Sequence, residues 1–207
     1  MHKRRIVVFD FDGTITKKDT FLEFIKFSKG YIHFTLGFLC YAPLLILFKL
    51  KLYPNWKAKQ KLFSFYFKNE TIEQFNRWGA TFAEKVDMML NPKIMEEIKK
   101  YHSGDDTSVL IISASVENWI KPWASRHGID LVLATKIETD KNNKLTGKFS
   151  TKNCYGQEKV NRLLELYPDR ESYELISYGD SQGDEALLRF SDKGTNVSFE
   201  KIQFVDD

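Results

Sequence analysis

The sequence predicts an α/β fold: a parallel sheet with helices on both faces, interrupted after its first strand by an all-helical insert. Three observations lead there. Short apolar runs, Ile6–Phe9, Val109–Ile112 and Leu175–Tyr178, read as strands buried on both faces, the mark of a parallel sheet. Each run stops at a polar cluster: Asp10-Phe11-Asp12-Gly13-Thr14, Ser113-Ala114-Ser115 and Gly179-Asp180-Ser181-Gln182-Gly183-Asp184. Helical patterns separate the runs, and strands alternating with helices argue a doubly wound sheet with right-handed crossovers.

The totals agree. A chain of 207 residues suits one domain, or a core carrying a smaller insert. With 43% hydrophobic and 29% charged residues the composition is globular, so disorder is not expected. A net charge of +3 is too small for a nucleic-acid partner, which asks for a concentrated basic stripe. Cys40 and Cys154 lie far apart and form no metal-spaced pair, which fits a reducing cytoplasm. Met1 to Arg5 lead directly into a strand too short to be the apolar core of a signal peptide, so export is not expected.

In chain order, Ile6–Phe9 is the first strand, and Asp19-Thr20 then caps a helix carrying Phe21, Leu22, Phe24, Ile25 and Phe27. From Tyr31 to Phe48 no residue bears a formal charge, and His33, Gly37 and Pro43 interrupt the run. At 18 residues this is at the lower limit of a membrane span, but the interruptions favour a buried or interfacial helical hairpin. Lys49, Lys51, Lys57, Lys59 and Lys61, with Tyr53, Trp56 and Phe63 among them, follow on a connector into another helix. That mixture suits either a solvated helix face or an interfacial segment. Ile72, Phe75, Trp78, Phe82, Val86 and Met89 recur at steps of three and four, an amphipathic helix opened by Glu70-Thr71. Residues 17–90 thus form the expected helical cap, and 1–16 with 91–207 the expected Rossmann-like core.

Asn91-Pro92 opens a helix that runs to about His102 and stops at Ser103-Gly104-Asp105-Asp106. Val109–Ile112 is the second strand, followed by Ser113-Ala114-Ser115 and a helix containing Trp119 and Trp123. Leu131–Leu133 is a third strand, and Ile137 to Phe149 alternates around Lys141-Asn142-Asn143-Lys144 as a hairpin does. Gln157–Leu166 is helical, and Leu175–Tyr178 is the last core strand.

The polar clusters carry the chemistry. In an open parallel sheet, ligands bind at the carboxyl ends of the strands, where Asp10 and Asp12 stand. One residue apart on an extended backbone, the two acids point to the same side and repel unless a cation lies nearby. A hard divalent ion, Mg²⁺ by preference, suits oxygen ligands and can also hold a phosphate oxygen. Taken alone, the five residues also suit a polar turn closing a buried strand. Joined by Ser113, Lys159, Asp180 and Asp184, they make a phosphoryl-transfer kit: a carboxylate nucleophile, a second acid for proton transfer, metal ligands and phosphate donors. Ser113 precedes a helix whose N–H groups suit a phosphate, although a serine there is also an ordinary cap. The two acids of the Asp180 loop would supply one metal ligand and a neighbour that orients it or ties Lys159.

These four clusters, in this order, resemble the motifs of the haloacid-dehalogenase-like hydrolases, and the helical insert after the first motif is similar to the cap of their phosphoserine-phosphatase-like subgroup. The resemblance implies that Asp10 is nucleophile and metal ligand, and that Asp12 is general acid/base and binds Mg²⁺ through its backbone carbonyl. It implies that Asp180 completes the metal shell with Asp184, Gly13 and Thr14 in support, and that Ser113, Ala114 and Lys159 hold phosphate. Asp19 stands where phosphoserine phosphatases carry a Glu that reads the substrate amine. The insert's only arginine, Arg77, does not match their carboxylate-reading Arg. The segment Asn153 to Val160, with the run from 31 to 48, is similar to membrane-associated relatives that dephosphorylate phosphatidylglycerophosphate. The implied protein is a cytoplasmic, Mg²⁺-dependent phosphatase, also able to sit peripherally at the inner face of a membrane through its cap. It would act on a phosphorylated small molecule or a phospholipid, with phosphoserine phosphatase, phosphotransferase or phosphomutase chemistry as alternatives.

Overall fold

The computed structural model describes residues 3–50, 52–104, 106–129 and 131–198; the side chains at 45 and 47–49 lie outside it. Expectations that involve Met1, His2, Lys51, Asp105 or the side chains of Phe48 and Lys49 therefore fall outside the described residues. The central strand is β1 (Arg4–Phe9), flanked by β2 (Thr107–Val116) and β3 (Leu131–Thr135) on one side and by β6 (Tyr173–Gly179) and β7 (Lys193–Asn196) on the other. All four pairings are parallel. The order reverses at β1, so its carboxyl end, where Asp10 begins, is the topological switch point.

Alternation along β1 divides the core. Val7 and Phe9 join one apolar cluster with Ile111, whereas Ile6 and Val8 join another with Leu110, Ile112 and Leu175. The second is closed by α7 (Gln157–Leu166) and α8 (Glu185–Phe190) through Val160, Leu163 and Leu187. The first is closed by α5 (Pro92–His102), α6 (Glu117–Arg126) and the inserted helices, giving three α/β/α layers.

The insert contains α1 (Thr20–Cys40), α2 (Ala42–Lys49), α3 (Asn55–Phe67) and α4 (Ile72–Val86). Two caps form at the expected residues: Asp19 accepts the Leu22 N–H at 3.1 Å, and Thr71 accepts that of Gln74 at 3.2 Å. Helix α1 is interrupted at Gly30, whose φ of 78° and ψ of 162° are not helical. The apolar run from 31 therefore occupies the second half of α1 and then α2, and among the described residues no helix is long and apolar enough to cross a membrane. Before the kink, Phe21, Phe24 and Ile25 are buried; after it, Tyr31, Ile32, Leu36 and Leu39 are exposed. Phe24 stacks on Trp119 of α6 at 4.5 Å between ring centroids and meets Phe75 and Phe82 edge-on, so one apolar cluster joins insert and core.

One local reading is corrected, one strand is added, and the expected hairpin is found. Strand β2 runs through Ser113-Ala114-Ser115, with a register irregularity before Val116, and α6 starts only at Glu117. Small side chains let that stretch stay extended beside β3. Strand β7 was not expected, because Lys193–Asn196 is a short polar edge strand without apolar alternation. The expected hairpin is present as antiparallel β4 (Ile137–Thr139) and β5 (Leu145–Phe149), but outside the main sheet. It bonds to the insert instead: Asn69 N–H reaches Leu145 O at 2.9 Å, Leu145 N–H reaches Glu70 O at 2.8 Å, and Ile72 N–H reaches Asn143 O at 2.9 Å.

Candidate active site

The site begins where β1 ends. Asp10 still donates its N–H to Tyr178 O at 2.9 Å, so the ladder to β6 holds its backbone, and the residue is only 6% exposed. The chain then turns at Gly13, with φ of 82°. A Cβ on Gly13 would stand 2.1 Å from Asp180 Oδ2, so only glycine lets the loop after β6 approach this closely. That approach brings carboxylate oxygens of Asp10, Asp180 and Asp184 within 4.8 Å of one another.

Lys159, from the first turn of α7, is 1% exposed. Its Nζ donates to Asp10 Oδ1 at 2.5 Å, to Asp184 Oδ1 at 2.5 Å and to Ile112 O at 2.9 Å, so three acceptors meet its three protons. The other Asp184 oxygen accepts from the Ser181 N–H at 3.0 Å and the Ser181 hydroxyl at 2.7 Å, which fixes the loop. Burial pushes the Asp10 carboxyl up to about 8; Lys159 opposes this, while Asp184 and Asp12 add to it. Burial also works against the Lys159 charge, but Asp10 and Asp184 outweigh it and hold the ammonium above its usual range. More carboxylates than cations converge here, and a hard divalent ion would relieve the excess; the all-oxygen donor set fits Mg²⁺.

Asp12 is held at both oxygens. Oδ1 accepts from the Thr20 N–H at 2.8 Å and its hydroxyl at 2.5 Å, and Oδ2 bonds to the Ser115 hydroxyl. The indole N–H of Trp119 donates to Thr20 Oγ1 at 3.1 Å, which leaves the hydroxyl proton for Asp12. Burial, with Asp19, raises the Asp12 carboxyl, against Lys59, Ser115 and Thr20.

A cavity of about 680 Å³ opens above these groups. Its floor is Asp10, Asp12, Gly13, Asp180, Asp184 and Lys159; Phe21, Leu22 and Phe38 of α1 with Ala58 and Leu62 of α3 form an apolar wall, and Lys17, Lys18, Asp19 and Lys59 also line it. Of the residues expected in the site, Ala114 and Asp19 thus reach the cavity, although the Asp19 carboxylate is engaged in capping α1. Ser113 does not line it: its buried Oγ accepts the Ser115 N–H at 3.0 Å, and the amino terminus of α6 lies four residues further on. Thr14 is buried, with no hydrogen-bond partner for its hydroxyl among the described residues. Sequence reasoning missed Thr20, Ser115 and Lys59. The repeated serine in Ser113-Ala114-Ser115 was a hint for one; Lys59 carried no local signal that set it apart from the neighbouring lysines.

Comparison with known proteins gives the family and the fold. The chain is 29% identical over 194 residues to protein CicA of Caulobacter vibrioides, covering 93% of this chain and 85% of that one. A haloacid dehalogenase family hydrolase from Salmonella enterica serovar Typhi superposes with a TM-score of 0.71 at 16% identity, over 95% of this chain, which spans 63% of that structure's length. A phosphoserine phosphatase captured as a phospho-aspartyl intermediate analogue superposes with a TM-score of 0.62 at 16% identity, over 91% of this chain and 84% of that one. Residues 7–189 match the haloacid dehalogenase-like hydrolase family, from the first strand to the helix after Asp184, and the protein belongs to that family.

Proposed function

We propose that the protein is a Mg²⁺-dependent phosphomonoester hydrolase acting through an aspartyl-phosphate on Asp10. The observation that carries this is the buried Asp10 carboxylate at the end of β1, with one oxygen held by Lys159 and with Asp180 and Asp184 beside it. Lys159 takes Oδ1 and leaves Oδ2 to attack phosphorus in line with the departing alcohol oxygen. Asp12, on the same side of the chain, protonates that oxygen, then takes a proton from the water that cleaves the acyl phosphate. Asp10 and Asp180, with the Asp12 backbone carbonyl, would hold Mg²⁺, which supplies charge neutralisation and an anchor for phosphate oxygens. Ala114, which lines the cavity, would position the phosphate from the end of β2, with Ser113 behind it shaping that turn through the Ser115 N–H, and Asp184, Gly13 and Thr14 would support the metal loop. Residues 17–90 act as the cap that screens this site from bulk water.

The substrate is a small or lipid-linked phosphate, and two observations favour the lipid-linked one over phosphoserine, the substrate named for several structural neighbours. Arg77 bonds to Gln74 on the exposed face of α4 and is absent from the cavity lining, and one Asp19 oxygen caps α1. Exposed apolar residues crowd the second half of α1, adjacent to Phe38 in the cavity wall, and suit peripheral contact with the inner face of a membrane.

Asp10→Asn tests the reading, because it removes the nucleophile at nearly constant volume. Turnover of a phosphomonoester panel in Mg²⁺ should vanish with the fold retained, and excess chelator should silence the unaltered enzyme; activity in either case would overturn it. Product analysis with an acceptor alcohol separates hydrolysis from transfer by a phosphotransferase or phosphomutase.

A further inference from the structure

Lys59 is the cavity cation that this chemistry leaves without a task. The Lys159 protons are all engaged at the floor, and Lys17 and Lys18 are exposed at the rim. Lys59 instead comes down from α3, half-buried, with its ammonium 5.1 Å from the centre of the Phe21 ring. Nζ donates to Ala114 O at 3.0 Å and reaches Ser115 Oγ only at 3.5 Å, so at least one of its three protons is left for a ligand. Among the described residues it makes no direct ion pair, although Asp12, held by Thr20 and Ser115, is its electrostatic neighbour. An ammonium against an apolar wall is costly to desolvate unless an anion meets it.

We propose that Lys59 is a specificity residue that binds a second anionic group on the alcohol part of the substrate. The inference rests on the phosphomonoesterase reading, which puts Asp12 beside the departing oxygen and hence Lys59, through Ser115, on the leaving-group side. The substrate class is then a phosphomonoester whose alcohol also carries a carboxylate or a phosphodiester. Both offer the paired oxygens that an ammonium takes up.

The test compares wild type, Lys59→Met and Lys59→Arg on three substrates with Mg²⁺ present. These are glycerol 3-phosphate, with no second anion; 3-phosphoglycerate, with a carboxylate; and glycerophosphoglycerol phosphate, with a phosphodiester. Methionine keeps the stem that packs on Phe21 and removes only the charge. Lys59→Met should lose about 10- to 100-fold more kcat/KM on at least one second-anion substrate than on glycerol 3-phosphate, the range expected for one charged hydrogen bond. The loss should fall on KM, and Lys59→Arg should restore most of it. The substrate that shows the loss identifies the anion. An equal loss on all three, or none, would overturn the role. If wild type hydrolyses none of the three or any other phosphomonoester, the phosphomonoesterase reading fails and the inference with it.

Discussion

Replacing Lys159 by methionine removes one ammonium from between two buried carboxylates. The side chains involved are 2% exposed for Lys159, 9% for Asp10 and 2% for Asp184, so water cannot substitute for the lost partner. Three hydrogen bonds go, at 2.5, 2.5 and 2.9 Å, and two buried carboxyls are left without their cation, so that a charge stays uncompensated or a proton must be taken up to neutralise it. Breaking a buried pair by removing one member costs about 3–5 kcal/mol, because the charge left behind is uncompensated. For a chain of this size that is a fall in melting temperature of roughly 6–20 °C. The assay is thermal unfolding followed by circular dichroism in chelator. The cause is isolated by a second variant: Asp10→Asn in the Lys159→Met background deletes one stranded charge and should recover part of the loss. Added Mg²⁺ should also protect Lys159→Met more than wild type, since the cation takes over part of the lysine's role. If Lys159→Met unfolds within about 1 kcal/mol of wild type in chelator, the lysine is not what keeps these carboxylates buried, and the electrostatic account of the site is wrong.

Gly13→Ala should lower both stability and apparent Mg²⁺ affinity, because its Cβ would meet Asp180 Oδ2 at 2.1 Å on a backbone with φ of 82°; an unchanged Mg²⁺ titration of activity would refute this. Asp12→Asn should lose more than ~100-fold in kcat with folding intact, and near-normal turnover would reassign its role. Glu174, bonded to Lys193 and Arg5, titrates below its usual range. A lowered carboxyl stabilises the fold above its unfolded value of about 4.3 and loses that contribution as pH falls through the folded value, so Glu174→Gln should cost at most ~1 kcal/mol at pH 7 and nothing near pH 2. Ile32→Ser with Leu39→Ser, at positions 77% and 66% exposed, should leave melting nearly unchanged but reduce sedimentation with anionic vesicles; unaltered vesicle binding, or none in wild type, would count against the membrane reading.

The sheet was legible because strands buried on both faces need continuous apolar runs, and Ile6–Phe9 and Val109–Ile112 supply them. Lys193–Asn196 was not, because an edge strand half open to water needs no such run. The floor of the site was legible for a related reason: Asp10, Asp12, Asp180 and Asp184 lie immediately after strands, where chain order alone fixes their meeting point at the switch in strand order. Thr20, Ser115 and Lys59 come from helix starts, strand extensions and the far side of an insert. Their approach to Asp12 depends on how α1 and α3 pack, which no local pattern encodes. Ser113 shows where a local reading goes astray: its position after an apolar run suggested the start of a helix, but the strand continues past it and its Oγ accepts the Ser115 N–H.

The inserted helices are uneven in how firmly they join the core, and that unevenness follows their residue types. Helix α4 is fastened to α6 by Gly79, where a Cβ would stand 2.5 Å from Asn118 O, by Asn118 donating to Asn76 at 2.6 Å, and by Arg126 donating to Ala83 O at 2.6 Å. The link from α4 back to α3 is fastened to the hairpin by three backbone hydrogen bonds, and Phe63 packs on Phe149 at 5.2 Å between rings. A rigid swing of the whole insert would break all of these together and open the aromatic cluster around Phe24, exposing several large side chains at once. The second half of α1 carries fewer such ties: Tyr66 donates to Phe34 O at 2.8 Å, while Ile32, Leu36 and Leu39 face solvent. Gly30 separates this half from the buried first turns of the same helix. The cavity wall at Phe38 thus belongs to a half-helix held chiefly where Tyr66 packs on the buried Gly37 and bonds to Phe34, and its apolar outer face lies on that same half of α1.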